Sequence, residues 1–363
     1  MLHFVIGMAL GALLPTGGPS IVSAYSTRIC EGTHSHVFQG NTAWVSGWAH
    51  DGFVALRPDQ TGEFQRVGWY SDPEVIDRAT HMSIDERGIG YIASERADSL
   101  TSVDLNDVGC PKTLGSWQDA ELFDCPVASV TQGEYCFAIA RGPWQDFPGQ
   151  IDRETGDALL VFDTKDPMQI APVGVLQDHT FLAGPRDILL DPDGCHVLVA
   201  AYFSKSLVRI DITDPTAPVL VDWVSTASIG CSPHSLDWVT KDVVAFCGNN
   251  TLGLADFSGT PSLLGSFTGY EWINGAYSVA IAREYAVVAS RNGNSVSLFD
   301  LTDLSKPEPV WKLRDDQLLA GAYFITVSKD GRFAFANGYG GNAFVVIDLK
   351  LPGMGKAAEW AFY

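Results

Sequence analysis

The chain has 363 residues, with 23 Lys and Arg against 43 Asp and Glu, giving a formal charge of −20 and no basic cluster. A nucleic-acid partner needs a basic face to neutralise phosphates, and anionic lipid attracts the same kind of surface, so both are disfavoured. With 46% apolar residues, 36 Gly, 19 Pro and 10 Trp, the composition suits many short strands and tight turns around a large core rather than disorder.

The chain opens with MLHFVIGMALGALLPTGGPSIVSA, whose apolar run Phe4 to Leu14 is too short to cross a bilayer. Val22, Ser23 and Ala24 place small residues where a signal peptidase cuts, although the n-region offers only His3 and the α-amino group. Residues 1–24 are therefore predicted to be a signal peptide. The protein would be secreted, with a mature chain beginning near Tyr25 and carrying no membrane span.

From there one pattern recurs: an apolar, β-branched run that ends in Asp, a turn, and a second apolar run. It is degenerate in GFVALRP, where Leu56 holds the Asp position, and clear at Asp104, Asp163, Asp211, Asp256, Asp300 and Asp348. The anchors are separated by 48, 59, 48, 45, 44 and 48 residues, a propeller-blade period. Two further short runs precede each anchor, as in PHSLDWV and DVVAFCG before Asp256. Four strands per unit, seven times, predict an all-β fold: a seven-bladed β-propeller of four-stranded antiparallel blades, one domain over residues 25–363. The final KAAEWAFY is expected to supply the fourth strand of the last blade beside FVVIDL. Trp69, Trp117, Trp223, Trp311 and Trp360 recur in the fourth strand and are read as packing between blades. The segments at Asp85, Asp191 and Ser328 are read as tight turns rather than calcium loops.

The repeats LVRIDITDPTAPVLV, LLVFDTKDPMQIAPVGVL and VSLFDLTDLSKPEPVWKL resemble the LVIVD-repeat family of β-propellers. DPDGCHVLVAAYFSKSLVRID is similar to the wider YVTN and lactonase-type propellers, and selenium-binding-type propellers are a more distant resemblance. These resemblances imply a scaffold, not a reaction.

Function must then come from the axial mouth, where the first strands begin. Aligning THSHVF, THMSID, CPVASV, PRDILL, PHSLDW, AYSVAI and AYFITV puts His34, His81, Pro126, Arg186, His234, Tyr277 and Tyr323 at one repeat position. The long connection Ala140 to Asp157 adds Arg141 and Trp144 as a lid or recognition loop over the same mouth. Three readings follow. In the first, these residues bind a small-molecule or protein ligand on an exported scaffold, with Arg186 taking an anion. In the second, His34, His81 and His234 hold copper or iron in a metal-dependent oxidoreductase, by analogy with copper propellers of the selenium-binding type. In the third, His81, Glu95 and Arg96 serve a lactonase-like hydrolase. Histidines that merely hydrogen-bond neighbouring strands are the plain alternative to all three.

Seven cysteines fit an oxidising compartment, with Cys125–Cys136 and Cys231–Cys247 as pairs that could form disulfides. Asn249 to Thr251 is the one glycosylation sequon.

Overall fold

A computed structural model describes residues 18–26, 31–143 and 155–352. Their strands form seven four-stranded antiparallel sheets, the blades of a β-propeller. Blades 1 to 6 run from His36 to Ser71, Ala79 to Gln118, Pro126 to Gln177, Pro185 to Ser225, Ser235 to Thr268 and Ala276 to Arg314, each with strands A to D in chain order. Every expected anchor Asp is the last residue of a strand C. Its carboxylate caps the turn that follows, as where Asp211 accepts the Thr213 N–H at 2.8 Å and Asp300 the Thr302 N–H at 2.7 Å.

Strand C is apolar on both faces because both faces are buried. In Ala158–Asp163, Leu159 and Val161 pack toward blade 4 while Leu160 and Phe162 pack toward blade 2. The described core accordingly divides into seven clusters, one at each blade interface. Trp69, Trp117 and Trp311 join three of these, as expected; Trp223 is 43% exposed beside Phe181, and Trp360 lies outside the described residues.

Closure differs from the expectation. The fourth strand of blade 7 is the N-terminal strand Ser20–Ser26, paired with Ala343–Asp348 from Ser20↔Asp348 to Ser26↔Ala343. KAAEWAFY lies outside the described residues, and the edge reserved for it is already paired. This strand also crosses the expected cut after Ala24, which would leave it only Tyr25 and Ser26.

Blades are stitched by a residue that immediately precedes strand C. Asp51, Asp98, Asp157, Asn250, Asn294 and Asn342 each accept a backbone N–H from the segment leading into strand A of the next blade, at 2.7–3.0 Å. Five of them hold φ of 47–51°, a conformation Asp and Asn tolerate well. In blade 4 Lys205 takes the place, and its carbonyl accepts the Thr226 N–H at 2.7 Å instead. These ties fix where each strand A begins.

The turns at Asp85, Asp191 and Ser328 are tight A–B turns as expected; Gly88, Gly194 and Gly331 donate back to Asp85, Asp191 and Ser328 at 3.0, 3.0 and 2.7 Å. All six described cysteines are free thiols, so the expected pairings Cys125–Cys136 and Cys231–Cys247 are not formed; Cys30 lies outside the described residues.

On the outer strands, glycine lets the next blade's turn approach. A Cβ on Gly174 would sit 2.2 Å from the Pro215 carbonyl oxygen and 3.0 Å from Pro218 Cδ, whereas one on Gly259 would meet nothing within 4 Å. Gly174→Ala is therefore expected to cost about 1–3 kcal/mol in urea unfolding, and Gly259→Ala less than about 0.5 kcal/mol. Equal effects would contradict this packing.

Candidate functional site

A cavity of about 240 Å³ opens on the axis where the strands A begin. Each blade contributes two successive residues, from His34 and Ser35 in blade 1 to Tyr323 and Phe324 in blade 7. Successive residues of a regular strand would face opposite ways, and in five blades a bulge removes that alternation. The register slips between Ala79 and His81, Pro126 and Ala128, Pro185 and Asp187, Ala276 and Ser278, and Ala322 and Phe324.

This register corrects the alignment of the ring. The skipped residue is Thr80 in blade 2 and Val127 in blade 3, equivalent to Arg186, Tyr277 and Tyr323. His34 and His234 hold the same position, but His81 sits one residue further in, level with Asp187 and Ser278, and Pro126 one residue outside. The sequence alignment matched Thr-His in two blades and missed the one-residue bulge.

His34, His81, Arg141, Arg186, His234, Tyr277 and Tyr323 all line the cavity; Trp144 lies outside the described residues. The sequence reading missed a second ring, the residue directly after strand B. Trp48, Glu95, Arg141, Arg291 and Tyr339 occupy that place in blades 1, 2, 3, 6 and 7 and line the cavity, and Tyr202 holds it in blade 4. Its signal was present as a large polar or aromatic residue closing each small, apolar strand B, as in VSGW, IASE, AIAR, VASR and ANGY. Arg78, which precedes strand A of blade 2, completes the lining.

One side of the cavity is a chain of packed rings. Tyr202 meets His234 at 4.7 Å, His234 stacks on Tyr277 at 4.1 Å, Tyr277 meets Tyr323 at 4.1 Å, and Tyr323 meets His34 at 4.2 Å. Guanidinium groups lie over these faces: Arg186 is 5.2 Å from the Tyr202 ring, and Arg291 is 5.5, 5.7 and 5.6 Å from Tyr277, Tyr323 and Tyr339. Arg78 stacks on Trp48 at 3.9 Å. Arg141, only 2% exposed, binds Glu95 through Nη2 at 2.6 Å.

Burial keeps the imidazoles neutral. It pulls His34 down to about 3 and His81 to about 4, and with Arg186 and Arg291 nearby it holds His234 well below its ordinary value. Burial also pushes Asp187 up to about 7, against the Leu236 N–H it accepts at 3.1 Å.

The hydrogen bonds assign tautomers. His34 Nδ1–H donates to the Thr80 carbonyl at 3.0 Å, leaving Nε2 bare. His81 Nδ1 accepts the Ser129 N–H at 3.3 Å, so its proton sits on Nε2 and that nitrogen offers no lone pair to a metal. Among the described residues the set of three potential ligands whose atoms fall within 4.8 Å is Asp98, Asp124 and Cys125, not the three histidines. The donor set does not fit copper or iron. His34 and His81 instead tie adjacent strands A together.

No protein-family model matches the chain, and no curated protein matches it. Among solved structures, the chain is similar to the β-propeller domain of Cps50 (Swd1) from Myceliophteria thermophila, at 12% identity and TM-score 0.67, covering 91% of this chain and 99% of that one. It is also similar to a candidate 6-phosphogluconolactonase from Bacteroides uniformis (14% identity, TM-score 0.66, covering 82% and 87%) and to hydrazine synthase of Kuenenia stuttgartiensis (15% identity, TM-score 0.61, covering 94% and 99%). Identities this low establish the propeller fold alone.

Proposed function

We propose that the protein is an exported β-propeller scaffold whose axial mouth binds a small organic anion. The observation that carries this reading is local: four guanidinium groups, from Arg78, Arg141, Arg186 and Arg291, converge on one cavity in a chain of formal charge −20. Such a concentration of cations against the overall charge is costly to desolvate and is what a carboxylate or phosphate ligand requires. The cavity, at about 240 Å³, is smaller than typical drug-sized pockets and suits a small metabolite. Neutral His34 Nε2 and the His81 Nε2–H add one acceptor and one donor for orientation. Export is supported by the apolar N-terminal run and the acidic composition.

The alternatives have less behind them. A copper or iron oxidoreductase needs His81 in the other tautomer, and a lactonase-like hydrolase needs a free Glu95, which is bound to Arg141.

Titration calorimetry with small carboxylates and phosphates, each matched to a neutral amide or ester, tests the proposal. The anions are expected to bind and the neutral analogues not to, with affinity falling as ionic strength rises. Arg186→Gln is expected to weaken every bound anion by about 10- to 100-fold through loss of a charge-assisted hydrogen bond. Neutral analogues that bind as well as anions would overturn the reading.

A further inference from the structure

The cavity wall supplied by blade 1 holds polar groups that the fold itself does not engage. At the inner position of strand A, four blades tie themselves to the next: His81 Nδ1, Asp187 Oδ2, Ser235 Oγ and Ser278 Oγ accept the N–H groups of Ser129, Leu236, Val279 and Ile325 at 3.1–3.3 Å. Ser35 holds that place in blade 1 and makes no such tie. The residue is 2% exposed, and its hydroxyl has no hydrogen-bond partner among the described residues. Ser46 holds the backbone there instead, its Oγ accepting the His34 and Ser35 N–H groups at 3.1 and 2.8 Å.

His34, immediately before it, offers a second such group. Its Nδ1–H is taken by the Thr80 carbonyl at 3.0 Å, burial keeps the ring neutral, and among the described residues nothing donates to Nε2. Trp48 adds a third on the same wall, a buried Nε1–H that also lacks a partner among the described residues.

We propose that the ligand is a hydroxy acid, with its anionic group toward the arginines and a hydroxyl on the blade 1 wall that donates to His34 Nε2 and meets the Ser35 hydroxyl. The inference rests on the anion-binding reading and sharpens it to a class.

Hydrogen-bond chemistry selects that class. An ionised carboxylate or phosphate only accepts, so it can serve the arginines, the Trp48 Nε1–H and the Ser35 hydroxyl, but it leaves the His34 acceptor empty. That nitrogen requires a donor. An ammonium group would supply one, yet in a cavity lined by four arginines it adds a like charge. A hydroxyl donates without charge and accepts as well, so it can give its proton to His34 Nε2 and still take one from Ser35. Folded proteins rarely leave a buried hydroxyl without a partner, and Ser35 keeps one where four other blades use the equivalent side chain to join their neighbours.

The test is titration calorimetry on the full chain at fixed pH and ionic strength. Glycolate and lactate are compared with acetate and propionate, and glycerol phosphate with propyl phosphate, so that one series reads a carboxylate and the other a phosphate ester. In at least one series the hydroxylated probe is expected to bind about 10-fold or more tightly than its match. Methoxyacetate, whose ether oxygen accepts but cannot donate, is expected to bind no better than acetate. Ser35→Ala removes a hydroxyl that the fold does not engage, so the variant is expected to fold and to lose about 3-fold or more of the preference for the hydroxylated probe. Equal affinity of hydroxylated and plain probes overturns the hydroxy-acid proposal and leaves anion binding standing, and so does methoxyacetate binding as well as glycolate. Malonamate, which carries a neutral amide N–H, overturns the choice of a hydroxyl if it binds more tightly than every hydroxylated probe. A preference untouched by Ser35→Ala overturns its placement beside Ser35. Failure of every anion to bind overturns both readings.

Discussion

Deleting residues 1–26 is expected to unfold the protein, whereas a chain ending at Gly353 is expected to melt within about 3 °C of the full length. The N-terminal strand makes six paired positions with Ala343–Asp348, and Ile21 and Tyr25 pack into the clusters on the two sides of blade 7. Ser23 Oγ accepts the Phe64 N–H of blade 1 at 3.3 Å, so the strand also bridges to the first blade. Backbone pairing alone is worth roughly 0.5–1.5 kcal/mol per bond, and several bonds together rival a total stability of about 5–15 kcal/mol. A ring has no spare blade: without Ile21 the cluster around Val345 and Ile347 loses cover on one side of blade 7, and without Tyr25 the cluster around Phe344 and Val346 loses it on the other. The measurement is thermal unfolding followed by circular dichroism for both truncations. If the shorter N-terminus melts normally and the C-terminal deletion does not, the closure is wrong. The same strand bears on the proposal of export: if the chain is exported with this blade intact, its processed N-terminus lies before Ser20, and its intact mass is expected to exceed that of a chain beginning at Tyr25.

The blades were legible because their signal is physical and repeated. An Asp ends each of six strands C, and two-sided burial keeps those strands rich in apolar and small residues, so period and strand count both show in the residues. The closing strand was not legible. SIVSAYS is a short apolar run joined to one of signal-peptide character, and nothing local distinguishes an export segment from an edge strand whose partner lies more than 300 residues away. The site was half legible for a similar reason. Convergence of strand A residues on the axis follows from topology, and that placed Arg186, Tyr277 and Tyr323 in the cavity. The bulge that puts two successive residues on one side is a backbone irregularity with no side-chain signature, and it moved His81 out of the histidine position. The ring after strand B went unread because its residue type changes around the ring, from Trp48 and Glu95 to Arg141, Tyr202 and Asn249, so no single residue marks it in every blade.

Acidification is expected to destabilise the protein steeply, and the buried histidines set the sign. Burial holds His34 near 3 and His36 and His81 near 4, and lowers His234 in the same direction. His36 is locked between blades 7 and 1, donating from Nδ1 to Asn337 Oδ1 and accepting the Thr326 hydroxyl at Nε2 at 2.7 Å, so it has no site for a second proton. In the unfolded chain all four take up protons near pH 6.5, so between there and about pH 4 the unfolded state binds more, and stability falls as pH falls. Two carboxyls oppose this. Burial raises Asp187 to about 7 and Asp237 to about 6, so the folded state holds their protons in the same window and their contribution is lost as pH rises. Four histidines against two carboxyls leave an excess of about two protons near pH 5, or roughly 2–3 kcal/mol per pH unit. Net charge predicts the reverse, because protonating surface carboxylates relieves the self-repulsion of a chain at −20. Urea unfolding from pH 8 to pH 4.5 separates the two. His81→Asn, which can still accept the Ser129 N–H through its amide oxygen but does not titrate, is expected to cut the slope by about half near pH 5. A midpoint that rises or stays level on acidification would show that surface charge, not the neutral imidazoles around the axis, governs this protein's response to pH.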